Sequence, residues 1–119
     1  MGAHNELGKK GEVLAVDFLI KKGYDILKKN YRYQQCEVDI IAKKGAILAA
    51  VEVKTRASKD FGDPQQFLKP KQIQRIIKAV DYFVNDYNME VEVRFDVIAI
   101  VLNKTERRLD HLENAFYHF

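Results

Sequence analysis

The stretch Cys36-Glu37-Val38-Asp39-Ile40-Ile41-Ala42-Lys43-Lys44-Gly45-Ala46-Ile47-Leu48-Ala49-Ala50-Val51-Glu52-Val53-Lys54 reads as two apolar strands joined by a short turn, with Asp39, Glu52 and Lys54 set among aliphatic side chains. Successive strand residues point to opposite faces, so Glu52 and Lys54 share one face while Val51 and Val53 share the other. A two-residue turn at Lys44-Gly45 would set Lys43 opposite Ala46 and Asp39 opposite Ala50. Asp39 then joins Glu52 and Lys54 on their face, diagonal to Glu52 at about 7 to 8 Å. A slip of one residue would send Asp39 to the other face, so the site stands or falls with the register.

Before this hairpin, Leu7, Gly11, Leu14, Ala15, Phe18 and Leu19 form a helical stripe from Asn5 to Lys22, and Gly23 suits a left-handed stop. Tyr24 to Tyr33 reads as a strand that leads through Gln34-Gln35 into strands at Glu37–Lys43 and Ala46–Lys54. Val38 is expected to share a face with Ile40, and Ile41 with Asp39, so both sides of the sheet should be covered. Arg56 to Lys69, with Gly62-Asp63-Pro64, reads as a long loop, a place for substrate contact. Pro70 suits the first turn of a helix whose apolar stripe runs through Ile73, Ile76, Ile77, Val80, Phe83, Val84 and Tyr87. Val91 to Leu102 then reads as a buried strand and Arg107 to Glu113 as an edge strand, before an aromatic tail at Phe116, Tyr117 and Phe119. The order helix, three strands, helix, two strands predicts a single α/β domain, 1–119, around a central mixed β-sheet flanked by helices.

The chain has 119 residues, 20 Lys and Arg against 17 Asp and Glu, for a net charge of +3. That balance permits a polyanionic partner without requiring one. One cysteine, Cys36, excludes an internal disulfide and a cysteine-based zinc site, and it suits a reducing compartment. No apolar run approaches the roughly 20 residues that cross a bilayer, and no signal-type segment opens the chain, so a soluble cytoplasmic protein without a membrane partner is expected. His4, His111 and His118 lack metal-ligand spacing and read as surface or core-edge histidines.

Two carboxylates converging from adjacent strands suit a hard divalent cation, because Mg²⁺ takes oxygen ligands and commonly uses one or two carboxylates together with waters and phosphate. Asp39 and Glu52 would hold Mg²⁺ or Mn²⁺, the Val53 carbonyl could lie beside it, and Lys54 would steady a water and the charge that develops on phosphorus. A structural alternative is a buried Asp39–Lys54 ion pair, which would leave Glu52 unmatched.

Asp39 followed by Glu52-Val53-Lys54 resembles the Asp and Glu-x-Lys signature of the PD-(D/E)xK nucleases, whose core is the restriction-endonuclease-like fold. More closely, Gly8-x-x-Gly11-Glu12, Asn30-Tyr31-Arg32, Glu37-Val38-Asp39-Ile40-Ile41, Val51 through Arg56, Phe61-Gly62 and Asn114-Ala115-Phe116 resemble the blocks of the YraN-like (UPF0102) family of small bacterial proteins. The likeness covers nearly the whole chain, although no proline precedes Asp39 and Cys36 stands where glycine is usual. It implies a layout similar to that of archaeal Holliday-junction resolvases, with Glu12 as an assisting carboxylate from the first helix and a homodimer as the form in solution. The expected activity is endonucleolytic hydrolysis of DNA, branched DNA included, with Glu12, Asp39, Glu52 and Lys54 catalytic. The alternative is a non-catalytic nucleic-acid-binding module on the same scaffold, and a third reading is a structural protein acting through a partner. Lys9, Lys10, Arg32, Arg56, Lys71 and Arg75 are the candidate phosphate contacts, against the plainer reading of solvated cations. Glu37 is expected to pair with Arg32 or Arg56.

Overall fold

The computed structural model describes residues 2–58 and 68–116, with side chains from residue 6 onward. Its elements are α1 (Gly2–Lys21), β1 (Asp25–Tyr33), β2 (Cys36–Lys44), β3 (Ile47–Arg56), α2 (Pro70–Asp86), β4 (Glu92–Leu102) and β5 (Arg107–Leu112). The expected loop around Gly62-Asp63-Pro64, the Phe61-Gly62 block, and Tyr117 and Phe119 of the tail lie outside the described residues. The five strands form one sheet in the order β1-β2-β3-β4-β5. Neighbours are antiparallel except β3 and β4, which run parallel because α2 intervenes between them. This is the expected α/β architecture of a mixed sheet flanked by helices, compatible with a restriction-endonuclease-like fold.

Both sheet faces are dry, as the apolar runs predict. Ala15 and Leu19 of α1 pack with Ile40, Ala42, Ala49, Val51, Ile98 and Ile100. Ile76, Ala79, Val80 and Phe83 of α2 pack with Val38, Ile41, Leu48, Ala50, Phe95 and Val97. Leu48 and Ala50 alternate with Ala49 and Val51 between the two clusters, which places the helices on opposite faces. Phe116 closes the α2 side by stacking on Phe95 at 5.2 Å. Among the described residues no helix is long and apolar enough to cross a membrane.

Two expectations about the hairpin need correction. The turn is Gly45-Ala46, not Lys44-Gly45, and Lys44 pairs with Ile47. Gly45 takes φ of 60°, which glycine adopts without a Cβ penalty, so the glycine falls at the first turn position. The pairing therefore moves by two residues, an even number, which by itself exchanges no faces. Asp39 is no longer opposite Ala50; one pair beyond Ile40–Val51 it stands level with Glu52. The second correction concerns alternation in β2. Val38 packs with Ile41 on the α2 side, while Ile40 lies on the α1 side, so the period breaks at Asp39. Its neighbour across β1, Asn30, has φ of 53°, and neither residue joins the β1–β2 pairing that continues on both sides of them.

Candidate active site

The β2–β3 ladder stops at Ile40–Val51, after which β2 continues beside β1 as far as Cys36 and β3 continues beside β4 as far as Arg56. The sheet forks there, and Asp39 and Glu52 occupy the fork. The Val53 backbone N–H, which β2 would otherwise have served, donates to Asp39 Oδ2 at 2.8 Å. N–H and C=O of one strand residue face the same neighbour, so the Val53 carbonyl also points into the fork.

Glu52 is 7% exposed. Gln72, in the first turn of α2, donates from Nε2 to its Oε2 at 2.7 Å. Oε1 is buried and has no hydrogen-bond partner among the described residues. Burial, then the Asp39 charge and a hydrogen bond to Asp39 that favours the protonated acid, push the Glu52 carboxyl up to about 9, with Lys54 and Gln72 pulling the other way. Two carboxylates cannot both ionise in such a space without a compensating cation. Lys54 makes no direct ion pair among the described residues, so the Asp39–Lys54 bridge is not formed.

Glu12 reaches the same region from the other face. A Cβ on Gly11 would meet Thr55 Oγ1 at 1.8 Å, so only glycine lets the α1 backbone approach β3 this closely. Burial and then Asp39 raise the Glu12 pKa, while a hydrogen bond with Asn30 lowers it. Glu12, Lys9, Lys29 and Asn30 line a cavity of about 380 Å³ on the α1 side. Among the described residues no three His, Cys, Asp or Glu side chains gather as a ready metal cage. The donor set on offer is narrower: the two carboxylates, one of them with an orphaned buried oxygen, and the Val53 carbonyl. These are hard oxygen donors, two carboxylates and a neutral carbonyl, and they fit Mg²⁺ or Mn²⁺ better than a softer ion.

The basic residues disperse. Lys9 is beside Glu12, whereas Lys10 lines a separate apolar-walled cavity with Val13, Leu102 and Arg107. Arg32 sits 3.9 Å from Glu37, the expected pair, and Arg56 Nη1 donates to its neighbour's carbonyl, Thr55 O, at 3.0 Å. Lys71 and Arg75 share a groove between α2 and the β1–β2 turn.

Sequence reasoning missed Gln72 and Asn30, the polar partners of the two glutamates. It also missed Asp96, which is fully buried. Asp96 accepts from Arg94 Nε and Nη2 at 2.9 and 2.8 Å, from the Asn114 backbone N–H at 3.0 Å and from His111 Nε2 at 2.8 Å. His111, whose side chain is 3% exposed, takes Lys22 Nζ on Nδ1 at 2.9 Å. Because an ammonium can only donate, Nδ1 accepts and Nε2 carries the proton to Asp96. A carboxylate among aliphatic strand residues was the only available signal for Asp96.

Residues 11–100 match the family described as "Uncharacterised protein family UPF0102". A UPF0102 protein of Christiangramia forsetii is 57% identical over all of both chains, and one of Flavobacterium psychrophilum 53% over all of both. A third, from Thermodesulfovibrio yellowstonii, is 44% identical over 97% of this chain and 99% of its own. The matched segment spans α1 from Gly11 through β4, and so carries Glu12, Asp39, Glu52 and Lys54 together: this chain belongs to the UPF0102 family.

Proposed function

We propose that this protein is a Mg²⁺- or Mn²⁺-dependent endodeoxyribonuclease of the PD-(D/E)xK type, hydrolysing DNA phosphodiester bonds by in-line attack of water, with branched DNA among its substrates. The observation that carries this reading is the Asp39–Glu52 acid pair at the strand fork, with a buried glutamate oxygen that has no hydrogen-bond partner among the described residues and a lysine nearby. Asp39, Glu52 and the Val53 carbonyl would hold the cation, which supplies Lewis-acid polarisation of the phosphoryl oxygen and a more acidic water. The residues themselves do the rest. Gln72 holds the Glu52 carboxylate by its Oε2. The Val53 N–H holds Asp39 in place. Lys54 donates to the phosphoryl oxygens as their negative charge grows, an interaction strongest in the transition state. Glu12, with its proton affinity raised, takes the proton released by the attacking water.

Purified protein incubated with four-way junctions, flaps and single strands in Mg²⁺ or Mn²⁺ is expected to cut at least one of them. Lys54→Ala should lower that rate by about a hundredfold or more, the usual worth of one aimed donor. Equal cutting by the mutant would show a contaminant. A second reading, a binding module without catalysis, is favoured by the basic face of α2, whose Lys71, Arg75 and Lys78 line a groove that neither Asp39 nor Glu52 lines. It predicts binding that survives chelation and yields no product from any of the three substrates. A homodimer and a cytoplasmic location complete the proposal, and light scattering showing only monomer would remove the first.

A further inference from the structure

We propose that the outer face of α2 is a track for single-stranded DNA that leads away from the acid pair. This rests on the nuclease reading and names its substrate class: DNA with an unpaired flank.

Lys71, Arg75, Lys78 and Tyr82 recur at four-, three- and four-residue steps. At about 100° per residue they fall within about 60° of one another, so they form one stripe along the helix. The stripe is about 16 Å long at about 1.5 Å per residue. Its three cations line a groove of about 480 Å³ whose opposite wall is Gln34 and Gln35 of the β1–β2 turn and Cys36 at the start of β2. Gln34 has φ of 56°, and its Oε1 accepts from Lys78 Nζ at 3.3 Å, which bridges the groove. At the near end, Gln72, the residue after Lys71, holds Glu52. At the far end, Tyr82 stacks on Tyr33 with centroids 3.8 Å apart and planes 15° from parallel, yet remains 41% exposed.

Cations followed by an exposed aromatic stack are the components of single-strand recognition: the charges follow phosphates and a ring offers its face to a base. A duplex keeps its bases stacked on each other and cannot use the ring. At about 3.4 Å per nucleotide, the track accommodates about five nucleotides of a stacked strand and fewer of an extended one. The helix also breaks a local rule in the same direction. Its N-cap, Lys69, makes no side-chain cap bond and the first turn holds no acid, although this end of a helix repels cations. Positive charge kept against the helix dipole is what an anion-binding surface requires. Asp81 falls off the stripe and Asp86 lies a turn beyond Tyr82.

Fluorescence anisotropy with fluorescein-labelled oligothymidylate, in EDTA, tests the track without any cutting. Single strands should bind more tightly than a duplex of equal length. Tyr82→Ala should weaken single-strand binding by at least about fivefold and leave duplex binding unchanged, while Tyr82→Phe retains it. Lys78→Ala should lower both the affinity and its salt dependence. Duplex binding equal to single-strand binding, or an unaltered Tyr82→Ala affinity, would overturn the proposal. Failure of the wild type to cut in Mg²⁺ or Mn²⁺ would instead sink the nuclease reading while leaving the binding result intact.

Discussion

At the scale of single residues, Glu52 is where structure and chemistry conflict most. Its ordinary value is 4.5 and its folded-state value about 9, with burial first and Asp39 second as causes. Below pH 4.5 both folded and unfolded chains hold the proton, and the group costs nothing. Between those values the folded chain keeps a proton that the unfolded chain releases, so stability falls as pH rises, by at most about 1.4 kcal/mol per unit. A divalent cation in the fork would favour the ionised form and offset that loss. In thermal melts without divalent ions, the midpoint should therefore drop between about pH 5 and about pH 8, and Mn²⁺ should restore it most at the higher pH. Glu52→Gln should flatten the profile and remove the Mn²⁺ response. A mutant that retained both would show that Glu52 neither sets the pH dependence nor holds the ion.

At the scale of elements, the position of α1 on β3 decides whether Glu12 can reach the acids. Two of the glycines in the helix, Gly8 and Gly11, lie three residues apart with opposite surroundings. A Cβ at Gly8 meets nothing within 4 Å, whereas one at Gly11 meets Thr55 Oγ1 at 1.8 Å and Thr55 Cβ at 2.9 Å. Gly8→Ala should then stabilise the protein by about 0.5–1 kcal/mol through helix propensity alone. Gly11→Ala earns the same term but must lift α1 off the strand, an overpacking that costs about 1–3 kcal/mol and displaces Glu12. Urea unfolding of both variants checks this. Equal stabilisation by the two would mean that α1 does not touch β3 at Thr55.

At the scale of the whole molecule, the Asp96 network ties together segments that are far apart in the chain. Through His111 and Asn114 it holds the end of β5 and the residues after it, and through Lys22 and Tyr24, bonded to His111 and Arg94, it holds the end of α1. Burial would raise the Asp96 carboxyl, but hydrogen bonds from His111, Arg94 and the Asn114 backbone prevail and its pKa is lowered below 3.8. A depressed carboxylate contributes stability above its unfolded value and loses it as pH falls through the folded one, so this network should weaken only in strong acid. Asp96→Ala leaves Arg94 and His111 facing an empty buried site and should cost about 3–5 kcal/mol in urea unfolding at neutral pH. A loss below about 1 kcal/mol, the scale of a surface pair, would show that apolar packing alone closes this end.

The order of elements, the start of α2 at Pro70 and the dry sheet were legible in the chain, because residue periodicity and proline chemistry act among near neighbours, whereas the break in alternation at Asp39 was not. The hairpin turn was misplaced by one residue, which moved the pairing by two residues and left Glu52 on its expected face of β3. Other features were decided in three dimensions. The ladder stops after Ile40–Val51, Asn30 and Asp39 drop out of pairing together, Gln72 arrives from another helix, and Lys22 meets His111 across 89 residues. Local sequence sets which way a side chain points along its own strand. Whether a second carboxylate, an amide or a helix stands opposite depends on where strands part and helices settle, and that is determined by packing among distant segments.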